Sequence, residues 1–263
     1  MDQEISWSWK RALLIMGIMT FLCSGSSIAA FFWWKQQQEA RRADPRYAIT
    51  ELVCHCYRGQ ELPKDYLQAL LGLSKEKPGN LFDFSLQEGI NHLLASPWIA
   101  SAELVKVPPG TLVLQYAVRE PLAALGDFSG ALVDEEGIIF PQEPFFSHRR
   151  FVVVYLGWKS RVAWGDPISN PKLVAAYHLL ALLDRHSLPV ESIDMTHTND
   201  LSYGQREVIV YLREPEKVKL RLFPGNLQAL NDYHVLRKQK LFHQERATEV
   251  DMRLPDLAYI KLL

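Results

Sequence analysis

The stretch "VKVPPGTLVLQYAVREP", Val105 to Pro121, decides the fold. Proline brings no backbone donor to a strand ladder, so Pro108-Pro109-Gly110 between two alternating runs reads as a turn. The arms of the resulting hairpin are "WIASAELVKV" and "TLVLQYAVR". The second arm places Leu112, Leu114, Tyr116 and Val118 on one face. Arg119-Glu120-Pro121 closes it: the proline breaks further pairing, and the triplet reads as the junction to the next module.

Working outward toward the N-terminus, a β-α-α-β-β order emerges. A first strand runs through Ile49, Leu52 and Val53. Pro63 opens a helix as its first residue, with Leu67, Leu70 and Leu71 at one-face spacing. Ser85 caps a second helix, with Glu88 three residues on completing a capping box. Leu86, Ile90, Leu93 and Leu94 give that helix an apolar stripe, and Pro97 stops it.

Beyond Leu122 the chain reads mainly as strands with two helices. "ALVDEEGIIF" holds Asp134-Glu135-Glu136-Gly137 between apolar runs, a four-residue hairpin signal. "FVVVYLG" reads as a buried strand. Asn170 followed by Pro171 starts a helix whose apolar face is Val174, Tyr177, His178, Leu182 and Leu183. "VESIDMT", "REVIVYLRE" and "KVKLRLF" come next as strands, then a helix over about 227–242, then "TEVDMR" and "LAYIKLL". A faint echo appears after each helix: Ile193-Asp194-Met195 and Val250-Asp251-Met252.

At the N-terminus no charged side chain occurs from Ala12 to Trp34. That run is long enough to cross a hydrocarbon core of roughly 30 Å at about 1.5 Å per helical residue. Trp7 and Trp9 precede it and Trp33 and Trp34 end it, as interfacial belts do. A cleaved signal peptide competes, because "SIAA" around Ala29 resembles a cleavage site, but the apolar run continues past it to Trp34. Lys10 and Arg11 lie before the run and Lys35, Arg41, Arg42 and Arg46 after it, a count that by itself puts the C-terminal side in the cytoplasm. "KQQQEARRADPR", 35–46, is a polar linker.

Length and composition narrow the function. The 263 residues leave room for one span and two modest domains. A formal net charge of −1, without a Lys/Arg cluster, argues against a nucleic-acid surface. Three cysteines are too few for a disulfide framework. None of the eight histidines has another three or four residues away, and no two glycines stand two apart, so helical zinc pairs and phosphate-loop fingerprints are missing. "CHC" at Cys54, His55 and Cys56 falls short of four zinc ligands, and a strand turns the histidine away from the cysteines. His178 reads as a packed residue. The sequence thus offers no catalytic constellation, no metal site and no cofactor.

The order of tail, span, linker, β-α-α-β-β module and β-rich domain resembles the FtsQ/DivIB family of bacterial cell-division proteins. The resemblance is carried by the hairpin with its Arg119-Glu120-Pro121 close, by Leu132, Val133, Asp134, Gly137 and Phe140, and by "VDMRLP", Val250 to Pro255. Two positions differ: Gly59 is displaced behind Cys54-His55-Cys56, and Leu254 stands where the family has an aromatic. What the resemblance implies is an α+β protein. It has a cytoplasmic tail at 1–11, a transmembrane helix at 12–34, a linker at 35–46, a POTRA domain at 47–119 and a mostly antiparallel β domain with two helices at 120–263. It also implies an inner-membrane protein with its N-terminus in the cytoplasm and its domains in the periplasm, against the Lys/Arg count. Its role would be a non-enzymatic scaffold that binds FtsB-like and FtsL-like proteins and holds septal wall synthases in check. Strand addition is the expected mode of binding, because an open sheet edge offers unpaired N–H and C=O groups. "LAYIKLL" is the expected edge, with Arg253, Leu254, Asp256 and Tyr259 as the partner-binding residues. A POTRA-containing chaperone-like factor for exported or outer-membrane proteins is the alternative, as is a membrane-anchored hydrolase, which needs a converging nucleophile and base.

Overall fold

The computed structural model describes residues 2–74, 79–160, 163–199, 206–213, 216–221, 226–239 and 247–262. The chain divides into two compact units: residues 1–55, 63–93 and 103–115 form one, and residues 56–62, 94–102 and 116–263 the other.

The first unit begins with α1 (Asp2–Ala43), in which the polar 35–43 stretch continues the helix. Its Gln, Glu, Ala and Arg residues are good helix formers. Asp44 ends it, since a residue before proline is pushed out of the α region, and its φ/ψ of −80°/118° is extended. Among the described residues, no helix is long and apolar enough to cross a membrane. The span expected at 12–34 falls in part outside the described residues, which leave out the side chains of 12 and 22–26.

Asn80 holds the end of α1. Its Nδ2 donates to the carbonyls of Arg42 at 2.7 Å and Arg41 at 3.2 Å, two of the groups a helix C-terminus leaves unpaired. Its Oδ1 accepts from the Phe82 amide at 2.8 Å. Arg42 pairs with Asp83 at 3.2 Å, and Tyr47 meets Phe82 edge-on at 4.8 Å.

Strands β1 (Glu51–Arg58), β2 (Ile99–Val107) and β3 (Thr111–Val118) form a sheet of order β1-β3-β2, accompanied by α2 (Lys64–Leu70) and α3 (Leu86–Leu94). Pro63 is the N-cap of α2, so the helix begins one residue later than the sequence suggests. The Glu88 amide reaches Ser85 Oγ at 3.3 Å, as the capping box requires. The stripe of α3 is rotated from the expected one: Gly89 and Leu93 are buried, whereas Leu94 is exposed. Glycine suits this close approach, since a Cβ at position 89 would stand 2.9 Å from Leu104 Cδ1 and Phe84 Cζ, and those side chains would have to shift. Leu112, Leu114, Tyr116 and Val118 are all buried on one face of β3. Each such side chain contributes about 1.5–3 kcal/mol.

The second unit is built on a sheet that has nine strands among the described residues. Its strands are β4 (Ala123–Leu125), β5 (Ala131–Val133), β6 (Ile139–Pro141), β7 (Val153–Tyr155), β8 (Val190–Asp194), β9 (Val208–Leu212), β10 (Lys217–Leu220), β11 (Ala247–Asp251) and β12 (Tyr259–Leu262). The order is β12-β11-β10-β9-β8-β7-β4-β5-β6. β5 and β6 make the expected hairpin, with Gly137 at φ +80° in its turn. The sheet is mixed: β4–β7, β7–β8 and β10–β11 are parallel and the other neighbours antiparallel.

Two of the parallel pairs are β-α-β crossovers, through α4 (Pro171–Arg185) and α5 (Asn226–Arg237). Each is extended by one antiparallel strand, so β7-α4-β8-β9 and β10-α5-β11-β12 repeat one plan. Ser192, Ile193 and Asp194 face Tyr211, Val210 and Ile209, just as Glu249, Val250 and Asp251 face Lys261, Ile260 and Tyr259. Both pairings carry a register shift at the same place, between Val190 and Ser192 and between Ala247 and Glu249. The echo in sequence is the strand after each crossover helix. Ile193 and Val250 are buried, and Asp194 and Asp251 accept from the amides of Thr196 and Arg253 at 2.8 and 3.1 Å.

α4 starts where Asn170 Oδ1 accepts from the Lys172 amide at 2.9 Å. Its buried residues are Leu173, Ala175, Ala176, Leu179 and Leu183; of the face expected, Leu183 is buried and Tyr177 and Leu182 are partly buried against the core. Val174 and His178 are exposed, so His178 is not a packed residue. Two consecutive alanines hide the phase, since Ala176 buries against the sheet with too little bulk to mark a stripe. α5 ends at Arg237, short of the expected boundary near 242, and residues 240–242 lie outside the described residues.

Candidate partner-binding edge

β12 closes one end of the nine-stranded sheet, paired with β11 on one side and, among the described residues, with nothing on the other. An edge of this kind presents a row of backbone groups to any extended chain. Tyr259, Ile260 and Leu262 on it are exposed by 60%, 39% and 42%.

The four residues expected to bind a partner are placed differently from one another. Arg253 is engaged within the chain: Nε and Nη2 reach the Asp251 carboxylate at 2.9 and 2.7 Å, and Nη1 reaches Glu207 at 3.3 Å. Burial pushes Asp251 up, but the hydrogen bonds from Arg253 outweigh it and hold the carboxyl below its usual range. The Asp251 carboxylate in turn raises Arg253. Leu254 and Asp256 are exposed in the turn from β11 to β12, where Asp256 adopts φ +58°. Arg253, Leu254 and Asp256 line a groove of about 540 Å³ against Val235, Leu236 and Asp232 of α5. Tyr259 stands beyond it, on the edge strand itself.

Sequence reasoning missed the charges beside the edge. Glu249 takes Lys217 and Lys219 at 2.9 Å each, and these hydrogen bonds, Lys219's first, hold its carboxyl down to about 2. Lys219 also reaches Glu207 at 3.5 Å. The signal was present as alternation in "KVKL" and "TEVD", whose charged residues share the outward face.

Of the Arg119-Glu120-Pro121 triplet, Arg119 is the anchored member. Its amide donates to the Trp98 carbonyl at 2.8 Å, and Nη1 meets Asp134 at 2.8 Å and Glu136 at 3.3 Å. Asp134 also organises the β5–β6 turn, its Oδ1 accepting from the amides of Ile138 and Glu136. Its carbonyl accepts from the Tyr177 hydroxyl, whose ionisation is pushed up by burial and then by Asp134 and Glu135.

Cys54 and Cys56 are half-buried on the Leu52 side of β1, while His55 is exposed. Among the described residues no group of three or more His, Cys, Asp or Glu is placed to hold a metal.

No curated protein matches the chain. Residues 60–115 match the family model described as POTRA domain, FtsQ-type, over the stretch that contains α2, α3, β2 and most of β3. The chain carries a POTRA domain of the FtsQ type, and this supports the place in the FtsQ/DivIB family to which its hairpin and the segments around it point.

Proposed function

We propose that this chain is a scaffold of the bacterial division machinery, held at the inner membrane and working by lending a sheet edge to partner proteins. The observation that carries this reading is the FtsQ-type POTRA match together with β12, an exposed strand paired on one side. The partners are FtsB-like and FtsL-like proteins, and through them the septal wall synthases. Docking uses backbone pairing along β12, with Tyr259 as anchor and Leu254, Asp256 and the outer rim of Arg253 shaping the adjoining groove. No bond is made or broken.

The inner membrane holds the chain through residues 12–34, with residues 1–11 in the cytoplasm and both domains in the periplasm. Supporting this are the exposed side chains of Leu13, Leu14, Ile15, Phe21, Ile28 and Phe31 on α1, a surface that water does not favour and lipid does. The POTRA domain runs over 47–119 with Arg119-Glu120-Pro121 at its close, and the β domain over 120–263.

A fluorescent fusion of the full chain tests the reading in dividing cells. It collects at the division plane if the proposal holds, and uniform envelope fluorescence contradicts it. A reporter fused after Leu263 is active in the periplasm only; cytoplasmic activity overturns the orientation.

A further inference from the structure

α1 does not stop where its apolar run does. From Trp34 to Ala43 it continues for nine residues, a rise of about 14 Å at about 1.5 Å per residue. That much polar helix standing alone does not hold well in water, where isolated helices shorter than about 12–15 residues are marginal. Here both ends are secured: the preceding turns supply the nucleus, and the fold that follows takes up the last carbonyls.

The hold at the C-terminal end is made of several contacts. Asn80 Nδ2 donates to the carbonyls of Arg42, Arg41 and, at 3.4 Å, Asp44. Arg42 pairs with Asp83, and the Arg41 guanidinium lies 5.8 Å from the centre of the Phe82 ring, against which Tyr47 also packs. Asp44 alone leaves the helix before a 3-10 turn begins at Pro45–Tyr47. Its carboxylate accepts from the Arg46 amide at 3.0 Å and from Arg46 Nη2 at 2.7 Å, so the bend itself is fixed.

The grip continues into the core. The Leu81 amide donates to the Tyr47 carbonyl and the Ile49 amide to the Gly79 carbonyl, each at 2.7 Å, and both Leu81 and Ile49 are buried. An exposed ion pair such as Arg42–Asp83 contributes little by itself. The bonds from Asn80 and the pairing around Leu81 carry the hold, and a twist of α1 about its axis breaks them together.

Resting on the membrane reading above, we infer that α1 and the rest of the first unit turn as one body. The rotational setting of the helix in the bilayer then fixes which way the unit faces its neighbours. A protein that packs against the span thereby aims the unit outside it.

Double electron–electron resonance on the full-length chain in phospholipid nanodiscs tests the joint. Nitroxides enter through a keto amino acid at the exposed positions Gln36 and Gln87, which leaves the cysteines untouched. The expected result is one distance, no wider in distribution than that between Gln87 and Val107. Asn80→Ala with Asp83→Ala at least doubles the width, while near-UV circular dichroism verifies that the fold is kept. An unaltered chain several times wider than the Gln87–Val107 pair overturns the inference.

Facing is read separately. Two alanines inserted after Gln38 turn the unit by about 200°, whereas seven turn it by about 700°, within about 20° of where it began. Division in cells fails with two and survives with seven; equal support from both overturns the role given to facing. A nitroxide at Ile18 that meets an aqueous nickel chelate more readily than oxygen defeats the membrane reading. A narrow Gln36–Gln87 distance then leaves the joint standing, without a bilayer to act in.

Discussion

Arg119 and Asp134, fifteen positions apart in sequence, meet at 2.8 Å with only 14% and 6% of their side chains exposed. One carboxylate thus both receives the guanidinium and sets the β5–β6 turn through two backbone amides. Deleting one member of such a pair leaves a charge buried without its counterion. Arg119→Ala is expected to lower unfolding free energy by about 3 kcal/mol, read from urea denaturation of the full chain. A loss of only a few tenths would show the pair to be dispensable.

Glu249 fixes a pH window. Its carboxyl ordinarily titrates at 4.5 and is held down to about 2 in the folded chain by Lys219 and Lys217. A depressed carboxylate stabilises the fold above the unfolded value, and that contribution is lost as pH falls from 4.5 toward 2. Thermal unfolding measured between these limits is expected to fall less steeply in Glu249→Gln than in the unaltered chain. Identical slopes would mean that the two lysines do not hold the carboxylate.

Asn80 serves four backbone groups with one side chain. Asn80→Ala frees the Arg41, Arg42 and Asp44 carbonyls and the Phe82 amide, and is expected to cost about 1–2 kcal/mol. Hydrogen exchange reports it locally: Phe82 and the last turn of α1 exchange faster, while β3 keeps its protection.

Gly110 closes the hairpin turn under its neighbour. A Cβ there would stand 2.3 Å from the Ala48 carbonyl oxygen, where the Gly110 carbonyl already accepts from the Thr50 amide at 2.9 Å. Gly110→Ala is expected to destabilise the chain by about 1–3 kcal/mol, measured by urea denaturation. Gly130→Ala, where nothing lies within 4 Å, serves as the contrast at positive φ.

What the sequence discloses here is what neighbours along the chain decide. Pro108-Pro109-Gly110, the Ser85 and Asn170 caps and the Asp134–Gly137 turn are local, and each lies where its chemistry puts it. The α4 face was misread because Ala175 and Ala176 bury without bulk while Val174 does not bury at all. The duplicated β-α-β-β plan escaped because it resides in registers, with little more than Ile-Asp-Met and Val-Asp-Met to show for it. At the edge, the row of Lys217, Glu249 and Lys261 escaped because its members come from three different strands.

Photo-crosslinking in dividing cells tests the central claim most directly. A benzophenone amino acid is placed at position 259 or 261 on β12, and at position 155 on the interior strand β7 as the control. The account predicts adducts to a small FtsB-like division protein from positions 259 and 261 and none from 155. Adducts from 155 alone, or none from the edge while the chain still supports division, would contradict it.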